Sequence, residues 1–159
     1  MHFKFLLHFY KMLKLNFPDY NIKTKIIKNK FFVFDRVRKK WLKITPEEWV
    51  RVHCVNYLIE DLGYLESWIR IEQEIKINNL KKRFDIVVTG SDFKPYILVE
   101  CKAHSVRINQ NTFDQITRYN IELSCPFLMI SNGLDHYFCK VNDKKKNIDF
   151  IEKLPEYRS

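Results

Sequence analysis

The sequence contains little glycine and proline, with 3 and 5 copies in 159 residues. Because these residues form tight turns and interrupt regular structure, we expect helices and strands joined by few turns. A glycine-rich phosphate loop is absent, which argues against ATP hydrolysis by this chain. A hydrophobic content of 46% and an aromatic content of 15% exclude a disordered chain and are typical of one globular domain.

No pair of cysteines has the C-x-x-C spacing that is typical of zinc and redox sites. The four cysteines are Cys54, Cys101, Cys125 and Cys139. Since Cys101 and Cys125 stand in apolar, strand-like runs, we interpret the cysteines as small buried residues rather than disulfides. Free thiols of this kind predict a reducing compartment and a cytoplasmic location.

The amino-terminal stretch MHFKFLLHFYKML has no apolar run long enough to span a membrane. His8 and Lys11 interrupt it and no small-residue cleavage site follows, so we also exclude a signal peptide. A natural start at Met12 is an open alternative, which N-terminal sequencing or the intact mass of the native protein would decide. We predict an N-terminal extension over 1–19, a single domain over 20–142 and a basic tail over 143–159.

Acidic residues are in the minority, with 19 Asp and Glu against 28 Lys and Arg and a formal net charge of +9. Such a balance favours a polyanionic partner such as nucleic acid. A solvated surface in a generally lysine-rich protein explains the charge equally well. Composition alone does not decide between them.

The order of hydrophobic patterns predicts an α/β fold. A β-hairpin is expected over 20–37, around a polar KNK turn, followed by a core over 38–142. The core contains a helix, three strands in SWIRIEQEIKI, KRFDIVVTG and YILVECKA, a second helix over 109–123, and two strands in PFLMISNG and HYFCKVN. The helix after the third strand indicates a crossover to a parallel neighbour, and hence a mixed central sheet flanked by helices.

The first helix has strong terminal signals. Thr45 is a good N-cap, Pro46 suits the first helical position, and Glu48 completes an S/T-x-x-E capping box. An apolar stripe at helical spacing follows, and Gly63 ends the helix. Glu72 and Glu74, in the first of the three strands, are expected on an outer strand face.

Charged residues inside two apolar strands indicate a site. Asp85 lies within RFDIVV, and Glu100 and Lys102 lie on one face of ILVECKA because strand residues two apart point the same way. If the two strands pair, Asp85 and Glu100 become neighbours whose mutual repulsion a hard divalent cation would relieve. Mg²⁺ is the expected ion, with the peptide carbonyl of Cys101 as a third oxygen ligand. Alone, however, an E-x-K triplet is more often a surface ion pair.

These residues form a D-(x14)-E-C-K pattern that resembles the PD-(D/E)xK nuclease superfamily. RKKWLKITPEEWVR, KRFDIVVTG, ILVECKA, FDQITRY and MISNG resemble more closely the N-terminal nuclease domain of type I restriction enzyme R subunits, over roughly 38–142. The resemblance implies a restriction-endonuclease-like αβββαβ core and DNA cleavage with Mg²⁺, or Mn²⁺ as a substitute. It implies Asp85, Glu100 and Lys102 as the catalytic set. Phe84 stands where the superfamily's name has a proline.

Two further features are candidates for the site. Gln115 and Tyr119 share one face of the second helix, and in the related nucleases such a pair lies beside the site. An amphipathic tyrosine that packs on the sheet explains the pair equally well. Glu48 is a further candidate metal ligand from the first helix, although its capping role is the favoured explanation.

Basic residues flank the predicted site and are expected to hold DNA phosphates without reading bases. They are Arg38, Lys39, Lys40, Lys82, Arg83, Arg107 and Arg118. A solvated surface is the alternative for them.

The leading hypothesis is a stand-alone, Mg²⁺-dependent DNA endonuclease. A catalytically silent DNA-binding or protein-docking module on the same fold is the second hypothesis, and a purely structural domain is the third. Besides DNA, a homodimer or restriction and helicase subunits are open as partners, and no membrane is expected.

Overall fold

The computed structural model describes residues 14–77, 79–142 and 147–157. Along these residues the strands are β1 Thr24–Ile27, β2 Lys30–Asp35, β3 Lys40–Lys43, β4 Ile69–Ile77, β5 Leu80–Thr89, β6 Pro95–Cys101, β7 Phe127–Ser131, β8 His136–Asn142 and β9 Asn147–Ile151. The α-helices are α1 Pro46–Asn56 and α2 Gln110–Leu123.

The strands form two sheets. A three-stranded antiparallel sheet has the order β1-β2-β3, and a six-stranded sheet has the order β4-β5-β6-β7-β8-β9. Only β6 and β7 pair in parallel among the described strands, and α2 provides the crossover between them. The predicted α/β fold with a mixed sheet is therefore confirmed.

The amino-terminal sheet is larger than predicted. The expected hairpin forms across a turn in which Lys28 and Asn29 have positive φ angles of 47° and 59°, as hairpin turns of this kind require. A third strand, KWLK, then pairs with β2, with Trp41 opposite Phe34. The sequence did not predict this strand, because it begins within the charged run RKK and is only four residues long.

Helix α1 begins as predicted and ends differently. Thr45 Oγ1 accepts a hydrogen bond of 3.1 Å from the Glu48 backbone N–H, which confirms the N-cap. The Glu48 carboxylate binds arginine side chains instead of the Thr45 backbone N–H, which a full capping box would require. After Asn56 the helix widens into a π-helical turn over Tyr57–Asp61, and Gly63 terminates it with a φ of +77°.

The six-stranded sheet is covered on both faces. Ile86 and Val99 belong to the hydrophobic cluster that contains α1 and Val33 of β2. Leu98, the residue before Val99 on β6, points to the other face and belongs to a second cluster with Ile116 of α2. Burial on both sides explains why YILV lacks the apolar–polar alternation of a half-exposed strand.

The packed domain extends beyond the predicted boundaries at residues 20 and 142. Leu15 and Leu154 are both buried in the α1 cluster, and β9 adds a strand to the edge of the sheet beside β8. The described residues do not include the proposed start at Met12 or residues 143–146. The side chains of Ile75 and Ile77 are likewise outside them.

All four cysteines are buried and free, as expected of small core residues. Among the described helices, none is long and apolar enough to cross a membrane.

Candidate active site

Asp85 and Glu100 lie side by side where the pairing of β5 and β6 ends. The last paired residues at this end of the ladder are Ile86 and Val99, and the two acids come next on their strands. Asp85 Oδ2 accepts a hydrogen bond of 2.7 Å from the Cys101 backbone N–H. This bond replaces a strand–strand bond and turns the Asp85 carboxylate toward β6. The structure therefore brings together the two acids that the sequence pattern singles out.

Glu100 is held from two sides. Its Oε1 accepts a hydrogen bond of 2.8 Å from Lys102 Nζ and one of 2.9 Å from Gln115 Nε2. Lys102 Nζ also lies 3.5 Å from Gln115 Oε1, so the three side chains form a closed triangle. Glu100 is only 4% exposed, which makes this network part of the interior rather than a surface ion pair.

The electrostatic balance of the site disfavours a second negative charge. Burial and the neighbouring charge of Asp85 raise the pKa of Glu100 to about 7, despite the opposing effect of Lys102. Burial acts to lower the pKa of Lys102, but the hydrogen bond and charge of Glu100 outweigh it and raise that pKa above its usual range. Lys102 is consequently an ammonium group at neutral pH, while burial and Asp85 still oppose the ionised form of Glu100.

Arg51, which sequence reasoning missed, contacts Asp85 from α1. One guanidinium nitrogen, Nη2, donates to Asp85 Oδ1 and to Glu47 Oε1, both at 2.9 Å. The other, Nη1, donates to Glu48 Oε2 at 2.5 Å. Arg51 is 4% exposed, and its Nε is buried without a hydrogen-bond partner in the described part of the chain. The spacing of Glu47 and Arg51, four residues apart on a helix, is a signal that could have found their ion pair, but not the contact of Arg51 with Asp85.

The prediction that Arg38 holds DNA phosphate is not supported by its position. Arg38 Nε donates to Asp35 Oδ2 at 2.5 Å, Nη1 donates to Glu72 Oε2 at 2.5 Å, and Nη2 binds Glu48 Oε1. Three acids thus occupy the guanidinium, because a buried arginine needs partners for its donors. Glu72 was predicted on an outer strand face, but its contact with Arg38 leaves it only partly exposed.

The other basic candidates differ in their availability. Lys39 pairs with Glu66 at 2.6 Å, a contact of two partly exposed side chains. Arg83 is exposed, with Glu74 at 3.7 Å and Glu72 at 3.9 Å. The candidates that are exposed or half-buried outside any described ion pair are Lys40, Lys82, Arg107 and Arg118.

Glu48 and Glu47 are adjacent in the first turn of α1 and have different surroundings. Both oxygens of Glu48 accept from arginines, which explains the position of this side chain without a metal, and its ligand role stays a prediction. Glu47, the residue before it, is near enough to the site to raise the pKa of Glu100.

Gln115 and Tyr119 both lie at the site. Besides its contact with Glu100, Gln115 Nε2 lies 3.4 Å from the Tyr119 hydroxyl oxygen. The capped start of α2 fixes their positions, because Asn109 and Thr112 form a reciprocal capping box. The predicted pair on one helix face therefore faces Glu100 and Lys102.

The donor set suits one kind of metal better than another. Within the described residues, no group of three or more His, Cys, Asp or Glu side chains is arranged to hold an ion. Structural zinc sites need such a group, whereas Mg²⁺ takes one or two carboxylates and keeps several waters. Asp85 and Glu100 are adjacent carboxylates, and such a pair of oxygen donors fits Mg²⁺.

The sequence is similar to one known protein family over most of its length. The family model for the type I restriction enzyme R protein N terminus (HSDR_N) matches residues 46–155, which is well over half of the chain. This chain belongs to that family. The match begins at α1 and includes Asp85, Glu100, Lys102, Gln115 and Tyr119. It also extends through β9, in agreement with the fold rather than with the boundary predicted at residue 142.

A solved structure has a similar fold. It is described as a fragment of an HsdR subunit of a type I restriction enzyme from Vibrio vulnificus, with a TM-score of 0.50 and 18% sequence identity. The similarity covers 71% of this chain and 24% of that one, so this chain spans about a quarter of its length. Among curated proteins, no sequence matches. The structural similarity supports the fold of the family.

Proposed function

We propose that this chain is a nuclease domain that hydrolyses DNA phosphodiester bonds with Mg²⁺, for which Mn²⁺ substitutes. The observation that carries the proposal is the convergence of Asp85, Glu100 and Lys102 at one strand end, with Gln115 bridging the last two. Membership of the restriction enzyme R protein family supports it.

The Asp85 and Glu100 carboxylates would hold the ion, with the Cys101 carbonyl oxygen as the third protein ligand. A bound Mg²⁺ acidifies a coordinated water and polarises phosphate oxygens. The raised pKa of Glu100 favours this assignment, because a cation beside Asp85 would lower that pKa and stabilise the ionised carboxylate.

Lys102 would act as an ammonium donor. Its raised pKa keeps the proton on Nζ, so it can stabilise the charge that develops on the phosphate and orient the attacking water. Gln115 fixes the rotamer of Lys102 through Glu100 and through its own carbonyl oxygen. Tyr119 supports the Gln115 amide in turn.

DNA would be held by the exposed basic residues around the site. Contacts to phosphates alone predict salt-sensitive binding with little sequence preference. In the related structure the comparable region is part of a much longer chain, so delivery of DNA by restriction or helicase subunits, or by a second copy, belongs to this proposal.

A silent binding module on the same fold is the second candidate, and one observation favours it. Arg51 already neutralises Asp85, the acid that the ion would need. A protein whose own cation satisfies this carboxylate can be stable without metal, and it would bind DNA without cutting it.

Plasmid nicking separates the two candidates. Purified protein is incubated with supercoiled DNA in Mg²⁺, in Mn²⁺ and in EDTA, alongside Lys102→Met and Asp85→Asn. Lys153→Met, an exposed lysine of the last segment, is the charge-matched control. We expect cleavage by the wild type and control only, and only with metal. Folded wild type that retains DNA but never nicks it would favour the binding module.

A further inference from the structure

The three-stranded sheet has one buried side and one solvent-facing side. Val33 and Asp35 of β2 are almost fully buried against the domain. Because side chains alternate along a strand and paired residues share a side, the remaining residues form a second surface. We call it the outer face of the small sheet. Its members are Lys23, Lys25, Ile27, Lys30, Phe32, Phe34, Trp41 and Lys43.

Aromatic rings and lysines are interleaved on this face. The Phe34 and Trp41 rings lie side by side, with centroids 5.3 Å apart and planes tilted by 58°. Lys25 Nζ lies over the Trp41 ring at 4.0 Å, and Lys23 Nζ lies 6.0 Å from the Phe34 centroid. Trp41 remains 37% exposed, so part of a large flat ring meets solvent on the same face as the lysines.

The charge of the outer face is entirely positive. The described ion pairs include none of its lysines, in contrast to Lys39 and Arg36 in the β2–β3 turn, which bind Glu66. Asp35, the one acid of these strands, points to the opposite side, where Arg38 binds it. The face therefore has uncompensated positive charge around exposed aromatic rings.

We propose that the outer face of the small sheet binds single-stranded nucleic acid. Bases would stack on Trp41 and Phe34 while the lysines contact phosphates, the combination by which sheet surfaces hold unpaired strands. The exposed cation–π contact of Lys25 is weaker than base stacking, so an arriving base would displace the ammonium toward a phosphate. Duplex DNA offers its bases only at groove edges, and it would gain no stacking here.

Other occupants fit the face less well. A second copy of the chain would bring like-charged lysines together, which repel. A nonpolar partner would leave those charges without compensation. A flexible polyanion with exposed aromatic bases satisfies both features at once.

The small sheet packs on the same hydrophobic core as the strands of the candidate active site, and its outer face shares no residue with that site. The β2–β3 turn places Arg38 against Glu48 of α1, and Arg51 then links Glu48 to Asp85. A strand held at Trp41 would thus be fixed relative to the site. Binding here does not depend on the proposed cleavage, because it involves neither the metal ligands nor Lys102.

Fluorescence anisotropy tests the proposal. Labelled oligothymidylate of about 15 nucleotides, which matches the span of a small stacking surface, is titrated with the full chain in EDTA at several salt concentrations. The variants are Trp41→Ala, Trp41→Phe and Lys25→Gln/Lys43→Gln. Phe93→Ala, an exposed aromatic in the β5–β6 turn, and Lys94→Gln/Lys153→Gln are matched controls elsewhere on the surface.

We expect Trp41→Ala to weaken binding by roughly tenfold without changing its salt dependence, because it removes stacking only. Trp41→Phe should recover part of the loss. The double lysine variant should reduce the slope of log affinity against log salt by about 1.4, or about 0.7 for each lost phosphate contact. Oligouridylate and a duplex of equal length form further arms, with the duplex unaffected by Trp41→Ala.

The proposal is overturned if Trp41→Ala binds like wild type, or if the control lysine pair weakens binding as much as Lys25→Gln/Lys43→Gln. It is also overturned if Trp41→Ala changes the oligomeric state in gel filtration, because a second copy would then cover the face. Circular dichroism melts show whether each variant is folded. Since all arms contain EDTA, loss of binding here is distinguishable from failure of the nuclease proposal.

Discussion

Arg51 Nη2 donates to Asp85 Oδ1 at 2.9 Å, so a buried cation of α1 touches the central acid of the candidate active site. The same nitrogen reaches Glu47. Asp85 and Glu47 are therefore held next to each other by a protein group in the position of a shared counterion. Burial lowers the pKa of Arg51, but its acidic neighbours, Asp85 first, outweigh burial and raise it, so the guanidinium stays charged.

We predict that Arg51→Met destabilises the protein by about 3–5 kcal/mol, the usual loss when one partner of a buried ion pair is removed. The variant leaves Asp85 without its cation and leaves Glu48 with Arg38 as its remaining partner, in a buried region. Urea unfolding measures the effect. Arg83→Met is the control, because its contacts of 3.7 and 3.9 Å are exposed and should contribute less than about 1 kcal/mol. Equal losses in the two variants would contradict the importance of the Arg51 contacts.

We predict that Glu100→Gln changes how stability depends on pH. The folded-state pKa of Glu100 is raised from 4.5 to about 7, so its contribution to stability is present below pH 4.5 and is lost as pH rises through about 7. The glutamine variant lacks this loss. Its stability relative to wild type should therefore increase between about pH 5 and about pH 8, by up to about 3 kcal/mol.

Thermal or urea unfolding of both proteins across that range checks this prediction in EDTA. The difference between the two curves isolates Glu100 from His53 and His136, whose lowered pKa values affect both proteins equally. Glu152→Gln, at an exposed position, should leave the curve unchanged. A difference curve that is flat in pH would show that Glu100 titrates normally.

We predict that Gln115→Ala lowers the kcat of DNA nicking by roughly 10- to 100-fold, because a small misplacement of reacting groups is costly. Gln115 positions Glu100 and Lys102, so KM for DNA should change little. Tyr119→Phe is the matched variant, and its contact of 3.4 Å to Gln115 is long enough that activity should fall only about two- to threefold. An effect of Gln115→Ala on KM alone would assign the residue to DNA binding instead.

We predict that Gly133→Ala destabilises the protein by about 2 kcal/mol or more. Gly133 has a φ of +86°, and an added Cβ would lie 2.7 Å from Leu15 Cδ2 in the core. Gly90→Ala is the control. Its added Cβ would lie 3.2 Å from the Asp92 side chain and 3.6 Å from Tyr96, which is an ordinary van der Waals distance. Similar melting temperatures for the two variants would show that the turn adjusts freely.

The strand pattern was predictable where both faces of a strand are buried. YILV and FLMI are nearly continuous apolar runs, and the structure has them as adjacent parallel strands β6 and β7. β9 was not predictable, because NIDFI is a half-exposed edge strand whose stability comes from pairing with β8 rather than from its own pattern.

The position of the acids was predictable, but their partners were not. Strand alternation alone puts Glu100 and Lys102 on one face, and helical spacing puts Gln115 and Tyr119 together. The contact of Arg51 with Asp85 joins residues 34 positions apart, which no local pattern reveals. Arg38 was misjudged for the same reason, since a run of basic residues does not show that acids from two other elements surround one of them.

The alternation of acid and base from Asp35 through Arg38, Glu48 and Arg51 to Asp85 has a consequence for how the sequence can vary. Each member balances its neighbours, so losses at adjacent positions should not add. Replacing Glu48 in a variant that already lacks Arg51 should lower the free energy of unfolding less than replacing either residue in the wild type. Related sequences are therefore expected to keep the whole series or to replace several members in concert.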